Sequence, residues 1–166
     1  SVGGHLINYL REAGAEVLFT DVDPGTIARF RDEPGLTFVP AEKLFETVCD
    51  IFAPCALGGI LNRETLARLR CRAVAGAANN QLASPEDADR LRAAGILYAP
   101  DFVINIGGAM AATLQEMRHL SRAEAFAQVK TVKQTLDQVF AIAKSENITT
   151  DAAARRIAEA RLAMQG

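Results

Sequence analysis

Cysteine is scarce in this sequence of 166 residues. The three present, Cys49, Cys55 and Cys71, are odd in number and form no Cys-x-x-Cys pair, which argues against a disulfide framework and a zinc site. Each stands in or beside an apolar segment and reads as a small core residue in a reducing cytoplasm. No Cys/His/Asp constellation surrounds them, so neither a metal site nor a catalytic role is assigned to them. No apolar run approaches the roughly 20 residues of a membrane-spanning helix. Charge of one sign is also lacking. The net charge is −2, and the basic residues are spread along helical segments instead of forming a block, so neither nucleic acid nor a membrane is indicated as a partner. Internal repeats and low-complexity linkers are missing too. His5 and His119 read as surface or packing residues.

What remains is ordinary globular material. Hydrophobic residues make up 49% and charged residues 23%, enough for one domain of usual size with its own core. The opening stretch, SVGGHLINYLREAGAEVLFTDVD, sets the pattern. A helix is expected from Gly3 or Gly4, with Leu6, Ile7 and Leu10 apolar, stopping at Gly14. The short strand Val17-Leu18-Phe19 follows and ends on Asp21. Helix, tight turn, strand and acid form the second half of a nucleotide-binding βαβ unit, without its first strand.

Asp23-Pro24 reads as an N-cap followed by proline at the first helical position, opening a helix through Ala28 and Phe30. Strands are expected at Leu36 to Val39, Val48 to Ala53 (stopped by Pro54) and Ala73 to Gly76. Asn62 should cap a helix with Leu66 and Leu69 inward, and Ser84-Pro85-Glu86-Asp87 should open another that closes at Gly95. Ile96 to Tyr98 and Phe102 to Ile104 read as extended around Pro100. After Ile106-Gly107-Gly108 helix takes over. Ser121 to Glu124 has the S-x-x-E form of a capping box, and the stripe from Phe126 to Ala143 predicts one long helix. Thr150 and Asp151 open a last one.

Brief apolar strands alternating with helices predict an α/β fold: a Rossmann-like, doubly wound parallel sheet with helices on both faces and a helical C-terminal extension. The dinucleotide-binding part is expected over residues 1–118 and the extension over 119–166. In such a sheet the first strand lies in the middle. The 166 residues are therefore expected to be a segment of a longer protein and not to fold alone. Ligands of these sheets bind at the carboxyl ends of the strands, which directs attention to Asp21, Pro54 to Gly58, Ala77 to Gln81, and Asp101 to Gly108.

Gly3 suits the fingerprint glycine that lets helix pack closely on strand, and Asp21, 18 positions on, can hydrogen-bond the ribose hydroxyls of an adenosine and repel a 2′-phosphate. DIFAPCALGG runs a buried strand into small residues that allow close backbone approach. AGAANNQL sets three amide side chains after a strand, each offering donor and acceptor, suited to a carboxamide such as nicotinamide. YAPDFVINIGG adds a further amide and a glycine pair.

These three runs, in this order and spacing, resemble the cofactor domain of the Glu/Leu/Phe/Val dehydrogenases, with greatest likeness to the leucine, valine and phenylalanine branch. The resemblance covers essentially the whole chain. It implies an NAD-dependent enzyme that deaminates an L-amino acid oxidatively to a 2-oxo acid and ammonia, with catalytic lysines and an aspartate in another domain and no catalytic residue here. It further implies a homo-oligomer assembled through that other domain. By the same resemblance Gly3 sits at the pyrophosphate turn and Asp21 holds the adenosine ribose. Cys55 and Ala56 line the cofactor cleft through their backbone, Asn79 and its neighbour Asn80 reach the nicotinamide end, and Asn105 lies beside the nicotinamide. Ala109 and Ala112 match positions that touch the substrate side chain. The run Ala109-Met110-Ala111-Ala112 is smaller than the aliphatics often found there, which implies a substrate larger or less strictly branched than leucine. Gln115 and Glu116 stand where the acidic residues of relatives are displaced. Two other readings remain: a nucleotide-sensing module without catalysis, and an oxidoreductase acting on another amine or 2-oxo acid.

Overall fold

The computed structural model describes residues 2–164. Its first unit is helix α1 (Val2–Glu12), strand β1 (Val17–Phe19), helix α2 (Pro24–Arg31) and strand β2 (Leu36–Phe38). The two strands pair in parallel, Val17 beside Leu36 and Phe19 beside Phe38. Val17, Phe19, Phe30 and Leu36 are buried together, with Ile7 and Leu10 of α1 packed against them. Gly14, at φ +79°, ends the first helix, as its place in the sequence predicts. Asp23 caps α2 by accepting the Thr26 N–H at 2.7 Å. That bond holds the Asp23 carboxyl below its ordinary value of 3.8. A carboxyl with a depressed native pKa stabilises the fold above its unfolded pKa and loses that contribution as pH falls through the native one. Asp23→Asn keeps a capping oxygen but not the charge. Thermal melts should therefore separate wild type from variant at neutral pH and converge in strong acid.

The second unit is β3 (Cys49–Phe52), α3 (Arg63–Arg68), β4 (Cys71–Val74), α4 (Glu86–Ala93) and β5 (Leu97–Tyr98). Its strands are all parallel in the order β3-β4-β5. Phe52, Val74 and Tyr98 point into a core completed by Leu61, Leu66, Leu91 and Ile96. Asn62 and Thr65 form a reciprocal cap on α3. No pairing joins β1 to β3 among the described residues, so the sheet is divided at the position expected for the first strand. Ile51 and Leu97, on the face opposite the core, are 58% and 46% exposed.

Two sequence expectations are corrected beyond β5. Phe102 to Ile104 are not extended but belong to a single helical turn, α5 (Asp101–Ile104). The Pro100 carbonyl accepts the N–H groups of both Val103 and Ile104, which closes the turn. The stripe from Phe126 to Ala143 does not lie on one helix. After α6 (Gly107–Arg118), the chain forms α7 (Arg122–Val129) and α8 (Thr131–Glu146), divided at Lys130. Phe126 is exposed, whereas Val139 and Ala143 are buried. The capping box at Ser121 and Glu124 forms as expected. The last helix, α9 (Thr150–Ala163), is capped by Thr149. Val103 of α5, Val139 and Ala143 of α8, and Ala153 and Ala154 of α9 form a separate apolar cluster.

Candidate functional site at the carboxyl ends of the strands

The chain leaves β3, β4 and β5 into three loops that are locked to one another. Gly76, just past β4, lies so close to the β3 loop that a Cβ there would sit 2.2 Å from the Pro54 oxygen. Gly58 makes a second close approach, its would-be Cβ falling 2.7 Å from the Asn79 carbonyl oxygen. Backbone bonds run across the same seam, from the Ala78 N–H to the Pro54 oxygen at 2.9 Å and from the Gly59 N–H to the Asn80 oxygen at 2.7 Å. Gln81, fully buried, donates through Nε2 to the carbonyls of Gly76 and Ala78, while its Oε1 has no partner. The third amide of the Asn-Asn-Gln run therefore braces the loop from within.

The other amides face outward at the loop crest. Asn105 Nδ2 donates to Asn79 Oδ1 at 2.6 Å and also lies 3.3 Å from the Ala78 carbonyl. Residues separated by 26 positions in sequence thus form one amide pair. Asn80 adopts φ +52°, and its N–H donates to Asp101 Oδ2 at 2.8 Å. The other carboxylate oxygen of Asp101 accepts the Tyr98 hydroxyl at 2.6 Å. Tyr98 is held far above its ordinary phenol value, first by burial and then by this bond, so its hydroxyl stays a donor. Asp101 opens the last of the strand-end stretches singled out from the sequence but was given no role there, and Tyr98 was read only as part of a strand. An acid following Tyr-Ala-Pro at a strand end was the only signal for them.

Gly3, near the start of α1, meets the β3 loop: a Cβ there would lie 3.3 Å from Cβ of Cys55. These two expected residues are brought together. Asp21 follows β1, and its Oδ1 accepts the N–H groups of Val22 and Asp23 at 2.8 and 3.0 Å. Its Oδ2 accepts no hydrogen bond among the described residues, and none links Asp21 to Asn79 or Asn105. The Thr20 hydroxyl beside it is buried without a partner. Ala56, Ala109 and Ala112 are exposed, and open space surrounds Gly108. Gly107 instead backs onto Val129 of α7, with a would-be Cβ 3.2 Å from the valine methyl.

Cys49 and Cys71 stand side by side in register at the opposite ends of β3 and β4, away from these loops. Burial raises both thiols; Cys71 is pushed up to about 11 by burial and by its neighbour Cys49. Alkylation near pH 8 should therefore spare both. Cys55, half-buried at the Gly3 contact, should label first. Peptide mass mapping after a short iodoacetamide pulse gives the order.

Parallel strands alternating with helices, with amide-bearing loops at their carboxyl ends, define the doubly wound α/β class. A family model described as glutamate/leucine/phenylalanine/valine dehydrogenase matches residues 10–165, and the chain belongs to that family. It is 41% identical to a leucine dehydrogenase of Geobacillus stearothermophilus, over 98% of this chain and 44% of that protein. It is 42% identical to an L-tryptophan dehydrogenase of Nostoc punctiforme, over 98% of this chain and 46% of that one. The crystal structure of L-tryptophan dehydrogenase from Nostoc punctiforme superposes with a TM-score of 0.91 at 42% identity, covering 96% of this chain and 49% of that one. A hetero-hexameric glutamate dehydrogenase from Thermus thermophilus shares the fold, with a TM-score of 0.65 at 19% identity over 97% of this chain and 51% of that one. The chain thus spans less than half the length of the curated relatives it matches.

Proposed function

We propose that this chain is the NAD-holding part of an amino-acid dehydrogenase that converts an L-amino acid to a 2-oxo acid and ammonia. The observation that carries the reading is the amide pair, Asn105 Nδ2 on Asn79 Oδ1 at 2.6 Å, at the crest of loops leaving three parallel strands. Each amide keeps further donor or acceptor capacity beyond that bond, which suits a carboxamide. Gly3 adds no side chain of its own where α1 meets the β3 loop at Cys55, which suits a close-lying pyrophosphate. Asp21 Oδ2, which accepts no hydrogen bond among the described residues, suits the hydroxyls of a ribose. When bound, NAD supplies the acceptor for a hydride from the amino acid's α carbon.

On this reading the residues of the chain bind and orient, and lysines in another domain handle the protons. Residues 1–118 hold the cofactor, and 119–166 brace it through the cluster around Val139 and Ala153. The protein would act as a homo-oligomer built through its other domain. Exposed Ala109 and Ala112, with open space at Gly108, favour a bulky substrate side chain. Likeness to both leucine and L-tryptophan dehydrogenases supports the same view. The test is nicotinamide reduction followed by absorbance, with the intact protein, NAD and a panel of L-amino acids. Turnover of phenylalanine or tryptophan at rates comparable to leucine is expected. No turnover of any amino acid would contradict the reading, and a sharp preference for valine would contradict the large pocket.

A further inference from the structure

Asp101 touches both halves of the amide pair's support. Its carboxylate, in a residue only 7% exposed, accepts the Asn80 N–H at 2.8 Å and so fixes the residue next to Asn79. The same bond holds Asn80 at φ +52°, a left-handed conformation that asparagine adopts more readily than most residues. Its main-chain carbonyl accepts the Asn105 N–H at 2.9 Å and so sets the end of α5 from which the second amide projects. Tyr98 fixes the carboxylate in turn, donating its hydroxyl at 2.6 Å and accepting the Asp101 N–H at 3.3 Å. From the far side, Asp151 of α9 binds Arg155 at 2.7 Å, and that guanidinium stacks over Phe102 of α5, 5.2 Å from the ring centre.

We propose that Asp101 is a positioning residue of the nicotinamide end of the site, its carboxylate holding Asn79 and its partner Asn105 through the Asn80 N–H. The inference rests on the proposed NAD site. It predicts that side-chain changes at Asp101 act on the nicotinamide end of the cofactor and spare the adenosine end.

The experiment measures dissociation constants of NADH and of ADP-ribose, which lacks nicotinamide, for the full-length protein and its D101A, D101N and N105A variants. D101A removes the acceptor of two hydrogen bonds. It should weaken NADH about tenfold and ADP-ribose by no more than about twofold. D101N can still accept the Asn80 N–H while the Tyr98 hydroxyl turns to accept from its amide, so it should recover most of the loss. Should D101A fail to fold, D101N decides alone: a loss of about threefold for NADH with ADP-ribose unchanged supports the proposal. Equal weakening of both ligands, or of neither, overturns it, because a merely structural role would move them together. N105A separates the two claims. If N105A shifts the NADH to ADP-ribose ratio and the Asp101 variants do not, the positioning role alone is wrong. If N105A leaves the ratio unchanged as well, the NAD site itself is misread and the inference falls with it.

Discussion

Gly76→Ala should unfold the seam between β3 and β4 and lower the melting temperature more than the same change at Gly58 or Gly108. The added Cβ would lie 2.2 Å from the Pro54 oxygen, 2.4 Å from its nitrogen and 2.6 Å from its Cδ. All three atoms belong to backbone or to a ring fixed to it, so no rotamer change relieves the clash. The loops cannot part freely either. The Ala75 N–H donates to the Phe52 oxygen at 3.0 Å, the Ala78 N–H to the Pro54 oxygen at 2.9 Å, and Gln81 Nε2 to the Gly76 oxygen at 2.8 Å. Overpacking typically costs about 1–3 kcal/mol, and occasionally more where backbone must move. At about 3 kcal/mol, the melting temperature of a domain of this size should fall by roughly 6–12 °C. Gly108→Ala is the control. Its Cβ meets nothing within 4 Å, and alanine favours the helix it occupies, so stability should hold or rise slightly. A Gly76→Ala protein that melts with wild type would show that the two loops are not held as close as described.

Asn105→Ala should leave folding nearly intact and remove most of the activity. The side chain donates to Asn79 Oδ1 at 2.6 Å and, at 3.3 Å, to the Ala78 carbonyl. Neither bond is deeply buried, so the stability loss should be about 0.5–1.5 kcal/mol. Activity is more sensitive. Rates depend on holding reacting atoms near 3–3.5 Å, and a shift of about 1 Å can cost about a hundredfold. With Asn105 gone, Asn79 loses its only side-chain partner among the described residues. A fall in kcat/KM of about a hundredfold is expected for the full-length enzyme with NAD and its best amino acid, with a melting temperature close to wild type. Asn105→Asp should be no milder, since its acceptor oxygens would face the Asn79 oxygen. Undiminished kcat/KM in Asn105→Ala would remove this amide from the catalytic geometry.

Much of the architecture was legible because local signals and tertiary structure agree. Asp23-Pro24, Asn62 and Ser121 through Glu124 all cap helices where their side chains can reach orphan backbone N–H groups. The short apolar runs became parallel strands within a residue or two of their expected limits. Phe102 to Ile104 misled because three residues carry no period that separates strand from helix. The bonds from Val103 and Ile104 back to the Pro100 carbonyl close a local helical turn, which the apolar pattern of these residues does not announce. The division at Lys130 carries no glycine or proline to announce it. Spacing in the stripe from Phe126 onward therefore suggested one helix where the chain forms two.

Two of the amides singled out from the sequence, Asn79 and Asn105, are brought together by the fold. The candidate site was illegible where a residue supports another. Gln81 looked like one more ligand amide, yet it is buried beneath the loop with Nε2 spent on two carbonyls. Asp101 stood among strand-end candidates without any sign that it binds the Asn80 backbone across 21 positions. Gly58 and Gly76 showed only as small residues in small-residue loops. Their need for a bare Cα arises from backbone atoms far away in sequence.

The most direct test of the whole account is a crystal structure of the full-length protein with NADH. One extended cofactor should lie across the strand ends, with Asp21 on the adenosine ribose, Gly3 beside the pyrophosphate, and the Asn79–Asn105 pair at the carboxamide. A cofactor seated elsewhere, or one that touches the acid but leaves both asparagines to solvent, would contradict it.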